Sequence, residues 1–201
     1  MNAPTLILAS ASPRRADLLR QFDFDFIVVP SAVEETASED LSAGEMSQLN
    51  AYRKARAIAK KYPDAVTLGV DTVVSLDGKI YGKPADLDEA EQMVLALQGR
   101  THTVVTGVCL LHLRAHRQRM FYEQTEVTFR PLTAAQIRHY HSEVNPLDKA
   151  GAYGIQEKSV VLIESISGSF SNVAGLPMER LQPELAAFGI FQPAANRVIP
   201  R

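Results

Sequence analysis

Asp71 interrupts an apolar run. Val66 to Val70 read as a β-strand, Thr72, Val73 and Val74 carry it on, and the carboxylate sits in the middle. An isolated carboxylate in such a run costs free energy unless a cation, a metal or a substrate compensates for it. The plainer alternative is a solvated Asp at a strand end. Asp77-Gly78 spells a two-residue hairpin, because Gly accepts the positive φ a tight turn needs. Ile80 and Tyr81 start the return strand, and Gly82-Lys83-Pro84 ends it. An acid, Asp71, and a base, Lys83, therefore sit on two paired strands, twelve residues apart in sequence.

Other polar groups of interest fall in loops and on helix faces. Ser10-Ala11-Ser12-Pro13-Arg14-Arg15 follows a short apolar strand, Thr5 to Ala9, and leads into a helical pattern with Leu18, Leu19 and Phe22. Ser12 suits the N-cap and Pro13 the first helical position, where its missing N–H is not needed. Such a helix start presents free N–H groups and a positive dipole end, which suits a phosphate. Two arginines in that first turn oppose the dipole; an arriving anion explains them, as does plain solvation. Glu34 and Glu35 adjoin in a loop, and as a metal ligand either needs a partner acid, for which Asp71 is the obvious choice. Lys54 points towards the apolar face of a helix bearing Ala51, Ala55 and Ile58. It either snorkels to the rim or reaches a site at Asp71, and spacing alone favours snorkelling. The segment Asn145 to Gln156 combines small residues with Asp148, Lys149, Tyr153 and Gln156. It is either a loop where backbone approaches a ligand or a tight turn packed on the sheet.

The elements that must position these groups follow from capping and periodicity. Phe24 to Val29 reads as a second strand ended by Pro30. Ser42 to Tyr62 reads as a long helix opened by the capping box Ser42/Glu45. Asp86 and Glu89 cap a helix that stops at Gly99. Thr101 to Leu113 reads as a buried central strand, with Cys109 as a small core residue, and Met120 to Phe129 as its antiparallel partner. Glu126 on that partner is either solvated or in a site, and His112 and His116 read as surface residues. Thr133/Gln136 boxes a further helix, Val160 to Ile166 reads as a strand, and Pro177 as the first position of the final helix. Strands and helices alternate early and hairpins come later, which predicts an α/β fold with a mixed, twisted sheet flanked by helices.

The 201 residues fit one domain, or one domain with a small lobe. A formal net charge of −2 gives no global attraction to nucleic acid or an anionic membrane, so any anion must meet a local cation cluster. No basic stripe or aromatic platform supports nucleic-acid binding. One cysteine permits no disulfide within the chain, which suits a reducing cytoplasm. The N-terminus enters a strand without a basic leader, so no signal peptide is expected, and no apolar run reaches membrane-spanning length. The Pro-containing segment Gln192 to Arg201 is expected to be peripheral.

SASPRR, VEE, the Lys54 helix, GVDT, GKP and DKAGAYGIQ occur in this order between Ser10 and Pro177. Together they resemble the Maf family of nucleoside triphosphate pyrophosphatases. Each motif alone is weak; six in order are specific. The resemblance implies a single Maf-like domain over 1–201, related in fold to the inosine triphosphate pyrophosphatases. It implies a cytoplasmic homodimer that splits a nucleoside triphosphate into monophosphate and pyrophosphate with a divalent metal (Mg, Mn or Co). By resemblance Asp71 is the general base. Arg15, Lys54 and Lys83 are the cations of the triphosphate site, Glu35 joins Asp71 at the metal, and Ser10 and Ser12 contact phosphate. Arg14, Thr72 and Gln156 match the subgroup acting on dTTP and UTP. A departure is Glu157-Lys158, where relatives often carry a Gly-containing turn. The physics agrees: a triphosphate carries about four negative charges and a metal offsets two, so a net-acidic chain must supply further cations. A nucleotide-binding regulator of septum formation and cell division, with incidental catalysis, is the alternative.

Overall fold

The computed structural model describes residues 4–36, 38, 40–156 and 158–193. Its frame is a seven-stranded mixed sheet. The strands are β1 (Leu6–Leu8), β2 (Ile27–Val28), β3 (Val66–Leu76), β4 (Lys79–Tyr81), β5 (Thr101–His112), β6 (Arg117–Phe129) and β7 (Ile163–Ser167). They run in the order β2-β1-β3-β5-β6-β7, with β4 paired to β3 off this path. β1 is parallel to β2 and β3, and every other pairing is antiparallel. Among the described residues six α-helices flank the sheet: α1 (Pro13–Gln21), α2 (Ala43–Ala59), α3 (Leu87–Leu97), α4 (Ala134–Glu143), α5 (Phe170–Val173) and α6 (Met178–Ala187). The expected α/β mixed sheet is what the chain forms.

Alternation along β3 splits the molecule into two faces. Leu68 and Val70 pack with Leu18 and Leu19 of α1 and Leu181 and Leu185 of α6, while Val74 and Leu76 pack with α3 and α4. The other face belongs to α2, whose Ala51, Ala55 and Ala59 meet Cys109 and Leu111 of β5. This helix lies directly on the sheet backbone. A Cβ on Gly69 would stand 2.1 Å from the Ala51 carbonyl oxygen, and one on Gly107 2.3 Å from the Ser47 carbonyl carbon. Glycine in a strand interior marks such a close approach. Gly107 is also the cross-strand partner of Asp71, so the helix is seated beside the acid.

The local signals hold with some shifts. Two of the three capping pairs form full boxes, at Ser42/Glu45 and Thr133/Gln136. At the third, Asp86 accepts from the Glu89 N–H while the Glu89 side chain accepts from the Ala85 N–H. Asp77 and Gly78 take φ of 51° and 81°, the positive pair of a two-residue hairpin turn. The second strand shrinks from Phe24–Val29 to Ile27–Val28, since it pairs with a β1 of three residues. The strand expected at Val160–Ile166 begins only at Ile163. Lys158 adopts a left-handed φ of 47° and Ser159–Val161 form a 3-10 turn, with Val160 and Val161 exposed. Pro177 is the N-cap of α6, one position earlier than expected, and the short α5 has no periodicity long enough to announce it. Glu126 is exposed and is not among the cavity residues described below; His116 is exposed and His112 half-buried. Cys109 is buried, and burial pushes its thiol up to about 12. Glu157 and residues 194–201 lie outside the described residues.

Candidate active site

The site grows from a gap in the sheet. β5 occupies one edge of β3 from Thr67 to Ser75. The other edge is shared: β1 pairs with Val66–Leu68 and β4 with Val74–Leu76. Between those pairings, among the described residues, no strand covers the edge around Asp71 and Thr72. A cavity of about 760 Å³ opens there, a size typical of small-molecule clefts. Ser10, Ser12, Arg14, Arg15, Glu35, Lys54, Asp71, Thr72 and Lys83 all line it. Of the residues nominated from sequence only Gln156 does not; it is exposed, one residue beyond the cavity-lining Ile155.

Asp71 and Lys54 are both buried, at 3% and 7% exposure, so each needs the other. The Lys54 ammonium donates to Asp71 Oδ1 at 2.6 Å and to Glu35 Oε1 at 2.7 Å. Lys83 donates to the same Glu35 oxygen at 3.1 Å. The order is therefore Asp71, Lys54, Glu35, Lys83, with charges alternating from the buried floor to the exposed rim. The snorkelling alternative for Lys54 fails, because α2 is pressed so close to β3 that its side chain meets Asp71 inside. Lys83 reaches Asp71 only through Glu35 and Lys54. Burial pushes the Asp71 carboxyl above the usual aspartate range, against the pull of Lys54 and with the aid of the nearby Glu35 charge. Burial also acts to raise Glu35, but Lys54 and Lys83 outweigh it and hold that carboxyl at about 2.

The opposite face of β3 presents Thr72 to Arg15. The Arg15 guanidinium donates to Thr72 Oγ1 (3.0 Å), Ser10 Oγ (2.9 Å), Val70 O (3.2 Å) and Gly175 O (2.9 Å). Burial lowers its pKa, and the charges of Asp71 and Glu35 oppose that. Arg15 thus ties the start of α1 to the free stretch of β3 and to the Gly175 turn. Ser12 holds the N-cap position of α1 without a side-chain capping bond, which leaves the first-turn N–H groups uncapped by it, and Ser12, Pro13, Arg14 and Arg15 line the cavity. Arg14 instead crosses to the Asn145–Gln156 segment, donating to Asp148 Oδ2 at 3.0 Å and to the Asp148 carbonyl at 3.2 Å. Lys149, buried, donates to Asp148 Oδ1 at 2.8 Å. Gly154 sits tight on it: a Cβ there would come 2.9 Å from Lys149 Cε.

Sequence reasoning missed Asn50. Its amide donates to Asp71 Oδ2 at 3.3 Å from one turn before Lys54 on α2. An amide four residues before a lysine already suspected of facing the site was the available signal.

Fold and cleft together define an α/β protein in which one cleft brings several lysines and arginines together with two carboxylates, Glu35 and Asp71. Residues 5–188 match the family described as Maf-like protein, and the chain belongs to that family. A dTTP/UTP pyrophosphatase of Symbiobacterium thermophilum is 48% identical over 184 residues, covering 92% of this chain and 94% of that one. A protein of the same name from Pelotomaculum thermopropionicum is 42% identical, with coverage of 92% and 96%. Among solved structures, a HAM1 protein from Coxiella burnetii superposes with a TM-score of 0.52 at 18% identity, covering 92% of this chain and 99% of that one. That likeness concerns the fold.

Proposed function

We propose that this chain is a nucleoside triphosphate pyrophosphatase that hydrolyses dTTP and UTP between the α and β phosphates. The names of relatives matching over nine-tenths of the chain support the substrates. The observation that carries the chemistry is the alternating chain Asp71–Lys54–Glu35–Lys83 in the floor and wall of one cleft.

Asp71 is the general base, its raised pKa bringing it closer to working pH than a free aspartate. Lys54, Lys83 and Arg15 stabilise the charge on the triphosphate, and Ser10 and Ser12 contact its oxygens. Arg15 spends four donations on protein oxygens, so its charge acts at short range while its geometry holds Thr72 and Ser10 in place. Arg14 and Thr72 orient the nucleotide from the cavity wall, and Gln156 stands one residue outside that wall to meet the base.

A divalent metal (Mg, Mn or Co) fits at Glu35 and Asp71. Both carboxylates approach one cationic position, the one the Lys54 ammonium takes. Among the described residues no group of three or more His, Cys, Asp or Glu converges. Two carboxylates, Glu35 and Asp71, would hold a magnesium-like ion, which is commonly bound by one or two carboxylates. When bound, the metal offsets phosphate charge and acidifies the attacking water.

We further take the protein to be one domain acting as a cytoplasmic homodimer, without nucleic-acid or membrane partners. The family resemblance supports the single domain and the homodimer, and the single, buried Cys109 suits a reducing cytoplasm. Among the described residues no helix is long and apolar enough to cross a membrane. The test is pyrophosphate release by the purified protein from dTTP, UTP, CTP and GTP with each metal. dTTP and UTP are expected to be cleaved best. Binding without turnover would favour the regulator, and preference for GTP would overturn the pyrimidine assignment.

A further inference from the structure

We infer that Asn50 is a positioning residue for this reaction: it fixes the segment carrying Glu35 against Asp71. The inference rests on the proposed roles of those two carboxylates. Asn50 is buried, at 3% exposure, on the face of α2 that meets β3. Its Oδ1 accepts from the Thr36 backbone N–H at 2.8 Å, and its Nδ2 donates to the Thr36 carbonyl at 3.1 Å and to Asp71 Oδ2 at 3.3 Å.

This pattern allows only one orientation of the amide. The Thr36 N–H needs an acceptor, whereas the Thr36 carbonyl and the Asp71 carboxylate need donors. A flipped amide would meet all three wrongly. Both Nδ2 hydrogens are then used, and the residue after Glu35 is gripped at its N–H and its C=O by one side chain. Arg53, also on α2, adds a hydrogen bond to the Thr36 hydroxyl. Asp71 is in turn held on one oxygen by Asn50 and on the other by Lys54, one turn further along the helix. Outside the α2 grip, Glu35 sits in a segment of the loop (Ser31–Thr36) with no regular secondary structure. Without Asn50, Thr36 keeps only its Arg53 contact from α2, and the two carboxylates stay joined through Lys54, with Lys83 on Glu35.

The test combines amide hydrogen exchange with steady-state kinetics on the wild type, Asn50→Ala and Asn50→Asp. In Asn50→Ala the Thr36 amide should lose protection while the Ala51–Ala59 amides keep theirs. Its kcat should fall about tenfold to a hundredfold, the scale for losing a group that orients a ligand residue. KM for dTTP should move less than about threefold, since no substrate contact is removed. Asn50→Asp nearly preserves volume and keeps an acceptor for the Thr36 N–H, but turns a second acceptor towards the Thr36 carbonyl and the Asp71 carboxylate, so it serves if the alanine variant does not fold. It should loosen Thr36 and lose kcat. A kcat within about twofold of wild type per folded molecule, or unchanged Thr36 exchange in Asn50→Ala, overturns the inference. The exchange arm needs no turnover. If wild type fails to cleave dTTP, the substrate reading falls while the Thr36 grip is still decided by exchange.

Discussion

The Asp71 carboxylate is held by Lys54 and Asn50, which leaves it buried yet paired. Its pKa is raised chiefly by burial, so it binds a proton more readily than a free aspartate. A base must be ionised to accept a proton, so activity should be lost as pH falls through that raised value. The acidic limb of kcat/KM should therefore lie above the usual aspartate pKa of about 3.9. Asp71→Asn keeps the shape and removes the base. Its turnover should fall roughly a hundredfold or more while nucleotide still binds. Near-normal turnover of the purified variant would assign the base elsewhere. Much of this residue set was readable from sequence, because a carboxylate in an apolar strand is conspicuous by its cost. Lys54 was ambiguous because helical spacing reports which face a residue is on, not how closely that face approaches the sheet. The role read for Gln156 rests on its motif alone, since its side chain is exposed one residue beyond the cavity-lining Ile155.

At the scale of elements, the site depends on how α2 sits on β3 and β5. Gly69 and Gly107 remove the two side chains that would lift the helix. Gly107→Ala places a methyl 2.3 Å from the Ser47 backbone, which no side-chain rotation relieves. It should cost about 1–3 kcal/mol in unfolding free energy, as overpacking does, and should lower turnover by moving Lys54 and Asn50 away from Asp71. Denaturant melts with parallel kinetics check both; unchanged stability and activity would mean the helix has room that the geometry denies. Capping boxes and the Asp77-Gly78 turn were legible because they are local chemistry. The helix-to-sheet contact is non-local. The glycines hint at it in sequence, yet nothing in their spacing names α2 as the partner. The late start of β7 has a similar cause: β-branched Val160 and Val161 suggest strand, but the left-handed Lys158 and the turn after it win.

For the whole molecule, a net charge of −2 coexists with a cleft to which Arg14, Arg15, Lys54, Lys83 and Lys149 contribute. In the free protein these cations are answered by Glu35, Asp71, Asp148 and backbone oxygens. A metal-bound triphosphate can take over several of those partners, which is how a near-neutral protein recruits a polyanion without a basic surface. In the proposed reaction this cleft directs water onto the α-phosphorus of a pyrimidine triphosphate. The most direct measurement is dTTP hydrolysis in water labelled with heavy oxygen, with mass analysis of both products. dTMP should carry the label and pyrophosphate should be unlabelled. Label in pyrophosphate, or dTDP with orthophosphate as the products, would contradict that reaction.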